Sequence, residues 1–411
     1  MIAPDPAALG ARAEAMIAEL AAISAEPGRL VRLFLTPEHR RAADLVAGWM
    51  RAAGLTVSED ALGTVRGRFG DAKRRLLIGS HIDTVVDAGK YDGPLGVIAG
   101  ILAAEQFARV NVKLPFGIDV LAFGDEEGSR FPVTLTSSSA CAGVFNREEL
   151  ASADAKGVTI GEALRVYGKD PKDIAAAAYR SDEAAGYVEV HIEQGPVLES
   201  RSEPLGIVTG IVGQVRLRVT VTGEAGHAGT VPMKLRHDAY AGAAEMALAL
   251  EKIANEHPED GMVGTVGRIE AVPGAVNIIP GRVLFTVDLR ALTDARRVEA
   301  TERFSAEAAR IAKARGLTVS IEPFHEIATA HCAPVLQDAL AASVTELGHT
   351  AVRLPSGAGH DAQVMARLCP AAMLFVRCRG GISHNPAEFA SVADMGLAVA
   401  ALTKFIARFK P

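Results

Sequence analysis

Four short apolar runs in this chain end in the same way, and that shared ending constrains the fold more than any other feature. Arg75–Ile78, Ile118–Phe123, Tyr187–Val190 and Ala372–Val376 are each brief and β-rich or fully apolar. That is the make-up of strands buried on both faces of a mainly parallel sheet. The first runs into Gly79-Ser80-His81-Ile82-Asp83, and Lys90-Tyr91-Asp92-Gly93 follows before the next helical stretch. The second ends in Gly124-Asp125-Glu126-Glu127-Gly128, the third in His191-Ile192-Glu193-Gln194-Gly195, and the fourth leads to Ile382-Ser383-His384-Asn385-Pro386. Parallel strands bring all these turns to one carboxyl edge, where open α/β folds build their sites. One pocket is therefore expected to collect His81, Asp92, Glu126, Glu127, His191 and His384.

Helical spacing of apolar positions over 8–25, 38–54, 93–107 and 334–347 completes an α/β layer. Between about 211 and 325 the rhythm changes. Residues 216–221, 264–270, 282–288 and 317–321 read as strands, most of them half-buried with alternating character, while 235–256 and 293–314 read as helices. In order this is β-α-β-β-α-β, the split arrangement of a ferredoxin-like unit. The expected fold class is α/β: a discontinuous catalytic domain, 1–210 and 326–411, with a mainly parallel sheet and an inserted α+β domain at 211–325.

Three imidazoles with carboxylates suit two divalent transition ions, with one carboxylate shared between them. Nitrogen and oxygen ligands without thiolate fit zinc or manganese, with cobalt or nickel as alternatives, better than calcium or magnesium. Asp83, two residues after His81, can accept the other ring N–H and set the tautomer. The Glu126-Glu127 pair allows one carboxylate to bind metal while its neighbour takes a proton. A lone histidine is more often structural than a ligand, and His39, His257, His325 and His349 are read as structural or exposed. Adjacent acids usually form a solvated surface; the apolar strand before this pair argues otherwise.

The formal net charge of -6, with no Lys/Arg-rich run, leaves no footprint for nucleic acid or an anionic membrane. Met1–Leu20 carries Asp5, Glu14 and Glu19 and does not read as a secretory signal. The longest apolar runs, such as Val97–Ala104, fall short of the roughly 20 residues a membrane span needs. With four cysteines and no CxxC pair, a disulfide framework is not expected. These features point to a cytoplasmic protein.

The segments GSHIDTV, KYDGPLGV, DEEGSRF, HIEQGPVLE, GHAGTVPM, PGAVNIIPG, VDLRA, SGAGHDAQ and ISHNPAEF, spread over about residues 75 to 390, together resemble a known family. It is the ureido-hydrolysing branch of the aminoacylase-like dinuclear metallohydrolases, with allantoate amidohydrolases, ureidoglycolate amidohydrolases, N-carbamoyl-L-amino acid hydrolases and β-ureidopropionases among its members. The resemblance implies that His81, Asp92 and His191 hold one metal, that Asp92, Glu127 and His384 hold the other, and that Glu126 is the general base. Peptidase relatives usually carry a carboxylate in place of His191, so the chain is expected to act on carbamoyl substrates, allantoate first and N-carbamoyl amino acids as the alternative. An aminoacylase or dipeptidase is disfavoured by His191, and a silent binding protein on the same fold by the intact His81, Asp92, Glu126, Glu127, His191 and His384. The resemblance also implies a homodimer through the inserted domain, with His227, Asn277 and Arg290 reaching a substrate in the partner's site.

The chemistry of these side chains suits the same roles. Arg290 can grip a substrate carboxylate in a bidentate fork and Asn277 can add a hydrogen bond; the rival reading of Arg290 is a structural ion pair with Asp288. His227 can donate to an oxyanion. Gln194 has the chemistry to bind a ureido group. The Ser356–Asp361 loop, with Gly359, can offer backbone N–H groups to a substrate. Structural and functional readings of His360 both stay open.

Overall fold

The computed structural model describes residues 3–110, 112–257 and 261–411. It divides into two compact units, Met1–Gly210 with His331–Pro411, and Ile211–Ala330. The return to the first unit thus comes at His331 rather than at 326.

In the first unit, strands Gly117–Phe123, Arg75–His81, Ala184–Ile192 and Ala371–Val376 lie side by side in that order, and each neighbouring pair is parallel. Every residue in the four is buried, which accounts for their mostly apolar sequence; the buried Arg75 and Asp119 pair with each other across neighbouring strands. Glu189 is an exception in character but not in burial: it accepts hydrogen bonds from Ser80 Oγ at 2.9 Å, Tyr187 Oη at 3.1 Å and Ala362 N at 2.9 Å.

Antiparallel strands that the sequence reading did not anticipate flank this core. Val65–Phe69 pairs with Gly117–Phe123, and Thr56–Glu59 pairs with Val65–Phe69. Leu205–Ile211 pairs with Ala371–Val376 on the other side. Helix Pro94–Arg109, which contains the apolar run Val97–Ala104, is buried almost along its length and packs against the sheet and helices Pro6–Ala21 and Val392–Arg408. Its apolarity therefore reflects burial on all sides. Among the described residues, no helix is long and apolar enough to cross a membrane.

The second unit is a four-stranded antiparallel sheet in the order Thr318–Ile327, Gly213–Thr222, Arg282–Ala291, Val263–Val272. Helices Ala239–Asn255 and Asp294–Arg315 cover one face. Val215, Leu217, Val219, Val221, Phe285 and Phe304 are part of the core between them. With the first strand lying between the fourth and third, this is the ferredoxin-like order the alternation predicts. The opposite face is polar and carries Gln214, Arg216, Asp288 and Arg290. A small ladder, Gly226–His227 against Ile278–Ile279, adjoins the sheet's chain.

Candidate metal centre

His81 is the last residue of its strand and His191 the last but one of its own. Both rings are buried, and both turn Nδ1 toward a carbonyl: His81 Nδ1 lies 3.2 Å from Asp83 O, and His191 Nδ1 lies 2.9 Å from Ile192 O. A carbonyl can only accept, so Nδ1 carries a proton, and in the neutral ring Nε2 keeps its lone pair. Neither Nε2 atom has a hydrogen-bond partner, although both are shut off from solvent. Two buried, unsatisfied acceptors converging on one carboxylate would be costly in a site with no cation to fill it.

That carboxylate is Asp92. Its Oδ1 lies 3.1 Å from His191 Nε2 and 3.6 Å from His81 Nε2, and its Oδ2 lies 3.5 Å from His384 Nε2. His384 Nε2 is in turn 3.4 Å from Glu127 Oε2. Ligands about 2.0–2.1 Å from a tetrahedral ion lie about 3.3 Å from each other. The spacings match those edges. Among the described residues His81–Glu126–Glu127 and Glu189–His191–His360 lie close enough to hold an ion, and so do two donor triads that share Asp92 through its two oxygens, His81–Asp92–His191 and Asp92–Glu127–His384. The first is buried throughout; in the second, the His384 side chain is 51 % exposed and its backbone has φ 54°.

Local structure explains the placement. Gly93, with φ 84°, starts helix Pro94–Arg109, and a Cβ there would overlap the His81 ring, so glycine is required on both counts. The Glu126-Glu127 turn is held from two sides. Asp83 Oδ1 accepts from Glu126 N at 3.1 Å and Oδ2 from Glu127 N at 3.2 Å. Asp125 Oδ1 accepts from Ser137 N at 2.9 Å. Asp83 also lies at the Nδ1 side of His81, with Oδ1 at 3.4 Å and its own carbonyl nearer. Glu126 Oε2 is 3.9 Å from His81 Nε2, beside the triads.

Charge in this pocket is unbalanced without a cation. Burial disfavours a charged His81, but the surrounding carboxylates of Asp83, Asp92 and Glu126 outweigh it and hold the imidazole pKa well above its usual value. Burial opposes Asp92 as well, yet His191 and His81 keep it well below the carboxylate range. Glu126 and Glu127 are pushed well up, first by burial; each also faces a neighbouring carboxylate, Glu127 for the first and Asp92 for the second. The donor set fits two divalent ions of borderline hardness.

The remaining site residues are distributed as follows. Gln194, at φ 56°, donates from Nε2 to Asp92 Oδ2 at 2.8 Å, and its Oε1 is buried without a partner. Its donor is thus directed at the Asp92 carboxylate, where the sequence reading had it available to a substrate. His360 is buried; its Nε2 is 2.8 Å from Ser356 Oγ and its ring meets His191 edge-on at 4.5 Å. Gly359 is exposed in the loop before helix Asp361–Met365.

His227, Asn277 and Arg290 belong to the second unit. His227 is exposed, and its Nδ1 accepts from Gly229 N at 3.0 Å, so a neutral ring carries its proton on Nε2. The exposed Asn277 is tied beside it through Ala228 N to Asn277 O at 2.9 Å. Arg290 pairs side-on with Asp288, Nε to Oδ1 at 3.0 Å and Nη2 to Oδ2 at 3.2 Å. Gln214 Nε2 at 2.6 Å and Arg216 Nε at 3.2 Å also reach Asp288 Oδ2. The Asp288 ion pair weighed as the alternative for Arg290 is therefore present. Sequence reasoning missed Ser383 and Glu388, which contact Asp92; both lie within the ISHNPAEF segment, and their position there was the available signal.

The chain is similar to known proteins along most of its length. Residues 77–408 match the model of peptidase family M20/M25/M40. An allantoate deiminase of Arabidopsis thaliana is 42% identical over 96% of this chain and 81% of its own length. An N-carbamoyl-L-amino acid amidohydrolase of Geobacillus stearothermophilus is 41% identical over 94% of this chain and 95% of its own. A solved amidase of the hydantoinase/carbamoylase family from Burkholderia multivorans superposes with a TM-score of 0.89 at 33% identity, covering 98% of each chain. Buried imidazoles, a shared aspartate and full-length similarity lead to one assignment: the chain belongs to peptidase family M20/M25/M40.

Proposed function

We propose that this chain is a metal-dependent amidohydrolase that cleaves the ureido C–N bond of a small carboxylate substrate, allantoate first and N-carbamoyl-L-amino acids or β-ureidopropionate as the alternative. The observation that carries the reading is the pair of triads sharing Asp92, with Glu126 beside them and in neither of the two. The names of the relatives support the ureido class, and their near-equal identities leave the two substrate groups to be separated by assay.

His81, Asp92 and His191 would hold one ion, and Asp92, Glu127 and His384 the other; zinc or manganese suits them, with cobalt or nickel as alternatives. When bound, such a pair of ions polarises a carbonyl and acidifies water. Glu126 takes the proton of the attacking water and delivers it to the leaving nitrogen. His227, through the Nε2–H that its contact with Gly229 leaves available, donates to the carbonyl oxygen as negative charge develops. Arg290, oriented by Asp288, holds the substrate carboxylate, and Asn277 adds a hydrogen bond. The carbamate released decays to carbon dioxide and ammonia.

We also propose a homodimer in which the second unit acts as a lid and supplies His227, Asn277 and Arg290 to the partner's metals. The four buried, unpaired cysteines suit a reducing compartment, and we assign the enzyme to the cytoplasm.

Ammonia release is the direct test. The chelated protein is assayed on allantoate, ureidoglycolate, N-carbamoyl amino acids and acetyl amino acids, before and after zinc or manganese is returned. Ureido substrates should turn over after reloading only. Full turnover in verified metal-free protein, or a preference for acetyl amino acids, would refute the proposal.

A further inference from the structure

Glu388 is a buried acid that neither triad includes. Its Oε1 accepts from Tyr91 N at 2.8 Å and from Asp92 N at 3.1 Å, across 297 and 296 residues of sequence. Its Oε2 lies 2.9 Å from Ser383 Oγ, which in turn is 2.5 Å from Asp92 Oδ2. Gly89 packs against it so closely that a Cβ there would overlap the Glu388 side chain. One carboxylate thus grips the backbone of the loop that presents Asp92 and the residue just before His384.

We propose that Glu388 is a positioning residue for the second triad, tying the Asp92 loop to the Ser383–His384 turn so that their ligand atoms meet. Two of the three second-triad residues, Asp92 and His384, ride on segments that Glu388 holds; in the first triad only Asp92 does. Losing Glu388 therefore weakens the second ion more than the first. His384 has the greater need, since it is half exposed and sits in a left-handed backbone conformation that β-carbon residues seldom adopt. The inference rests on the reading of Asp92, Glu127 and His384 as metal ligands, and its test separates the two.

Metal-free wild type, His384→Ala, Glu388→Ala, Glu388→Gln and Gly89→Ala are titrated with zinc by calorimetry, with bound metal counted by atomic emission and metal-free melting recorded. The event lost in His384→Ala marks the second site. Glu388→Ala should weaken that event by about 10–100-fold, the usual effect of removing a group that orients a ligand, and the other event less. Gly89→Ala should act in the same direction by displacing Glu388 without removing it. Glu388→Gln should stay within about three-fold of wild type, because its amide oxygen still accepts both N–H groups and its NH2 can donate to Ser383. If His384→Ala removes no binding event, the ligand reading fails and the proposal with it. If it does, but Glu388→Ala and Gly89→Ala bind as wild type, or every variant loses both events equally with lowered melting, the proposal alone is overturned.

Discussion

His39 should make this protein acid-sensitive by an amount the structure allows to be worked out. The ring is fully buried, and its Nδ1 lies 2.7 Å from Tyr167 Oη. Burial, reinforced by the charges of Arg32, Arg40 and Arg130, lowers its pKa from 6.5 to about 3. A depressed folded-state pKa means the stabilisation is complete above 6.5 and is lost as pH falls toward 3, because the unfolded chain gains a proton the folded one refuses. At pH 5 the loss is about 2 kcal/mol, and at pH 4 about 3 kcal/mol. That is a sizeable share of a typical folding free energy of roughly 5–15 kcal/mol. The assay is urea unfolding of wild type and His39→Leu at matched pH values from 7.5 to 4. His39→Leu should start lower, having lost the Tyr167 contact, yet fall less steeply with acid by about 2 kcal/mol at pH 5. Parallel pH dependences, or a His39 ring that titrates near 6.5 by NMR in the folded protein, would refute the argument. The consequence reaches the site, since a Cβ at Gly124 would overlap His39 Nε2, and Gly124 opens the turn that carries Glu126.

Further outcomes follow from the centre. Glu126→Gln should retain both ions yet lose activity by about 10²–10⁴-fold, since an amide cannot carry a proton; Glu127→Gln should lose metal, as plasma emission would register, and identical metal contents would overturn the division of roles. Glu126→Gln and Arg290→Ala, each inactive alone, should regain about a quarter of wild-type activity when co-assembled, because random pairing makes half the dimers mixed and each carries one intact site. Verified mixed dimers without activity would return Arg290 to its own subunit's metals.

The candidate site residues were legible in the sequence for a simple reason. Strands buried on both faces have distinctive composition, and once four of them are taken as parallel, their endings must share one edge. His81, Asp92, Glu126, Glu127, His191 and His384 follow from that, and in the structure they lie at that edge. The β-α-β-β-α-β rhythm of the second unit was legible too, because its sheet is apolar on one face and polar on the other, and alternation records that asymmetry. The flanking strands were not: Thr56–Glu59 is short and lacks a fully buried residue, and so carries little pattern.

Atom-level assignments were left to the tertiary structure. No periodicity in the chain tells that Asp92 offers Oδ1 to one triad and Oδ2 to the other, or that Gln194 directs its amide at Asp92. Nor does it tell that Asp288 pairs with Arg290, or that His39 is sealed against Tyr167. Glu388 is the clearest case, since its hydrogen bonds to Tyr91 and Asp92 span nearly 300 residues. Local sequence sets which residues a strand end or turn can present. Which of them touch is decided by strand order and loop closure across the whole sheet, where a shift of about one ångström makes or breaks a hydrogen bond.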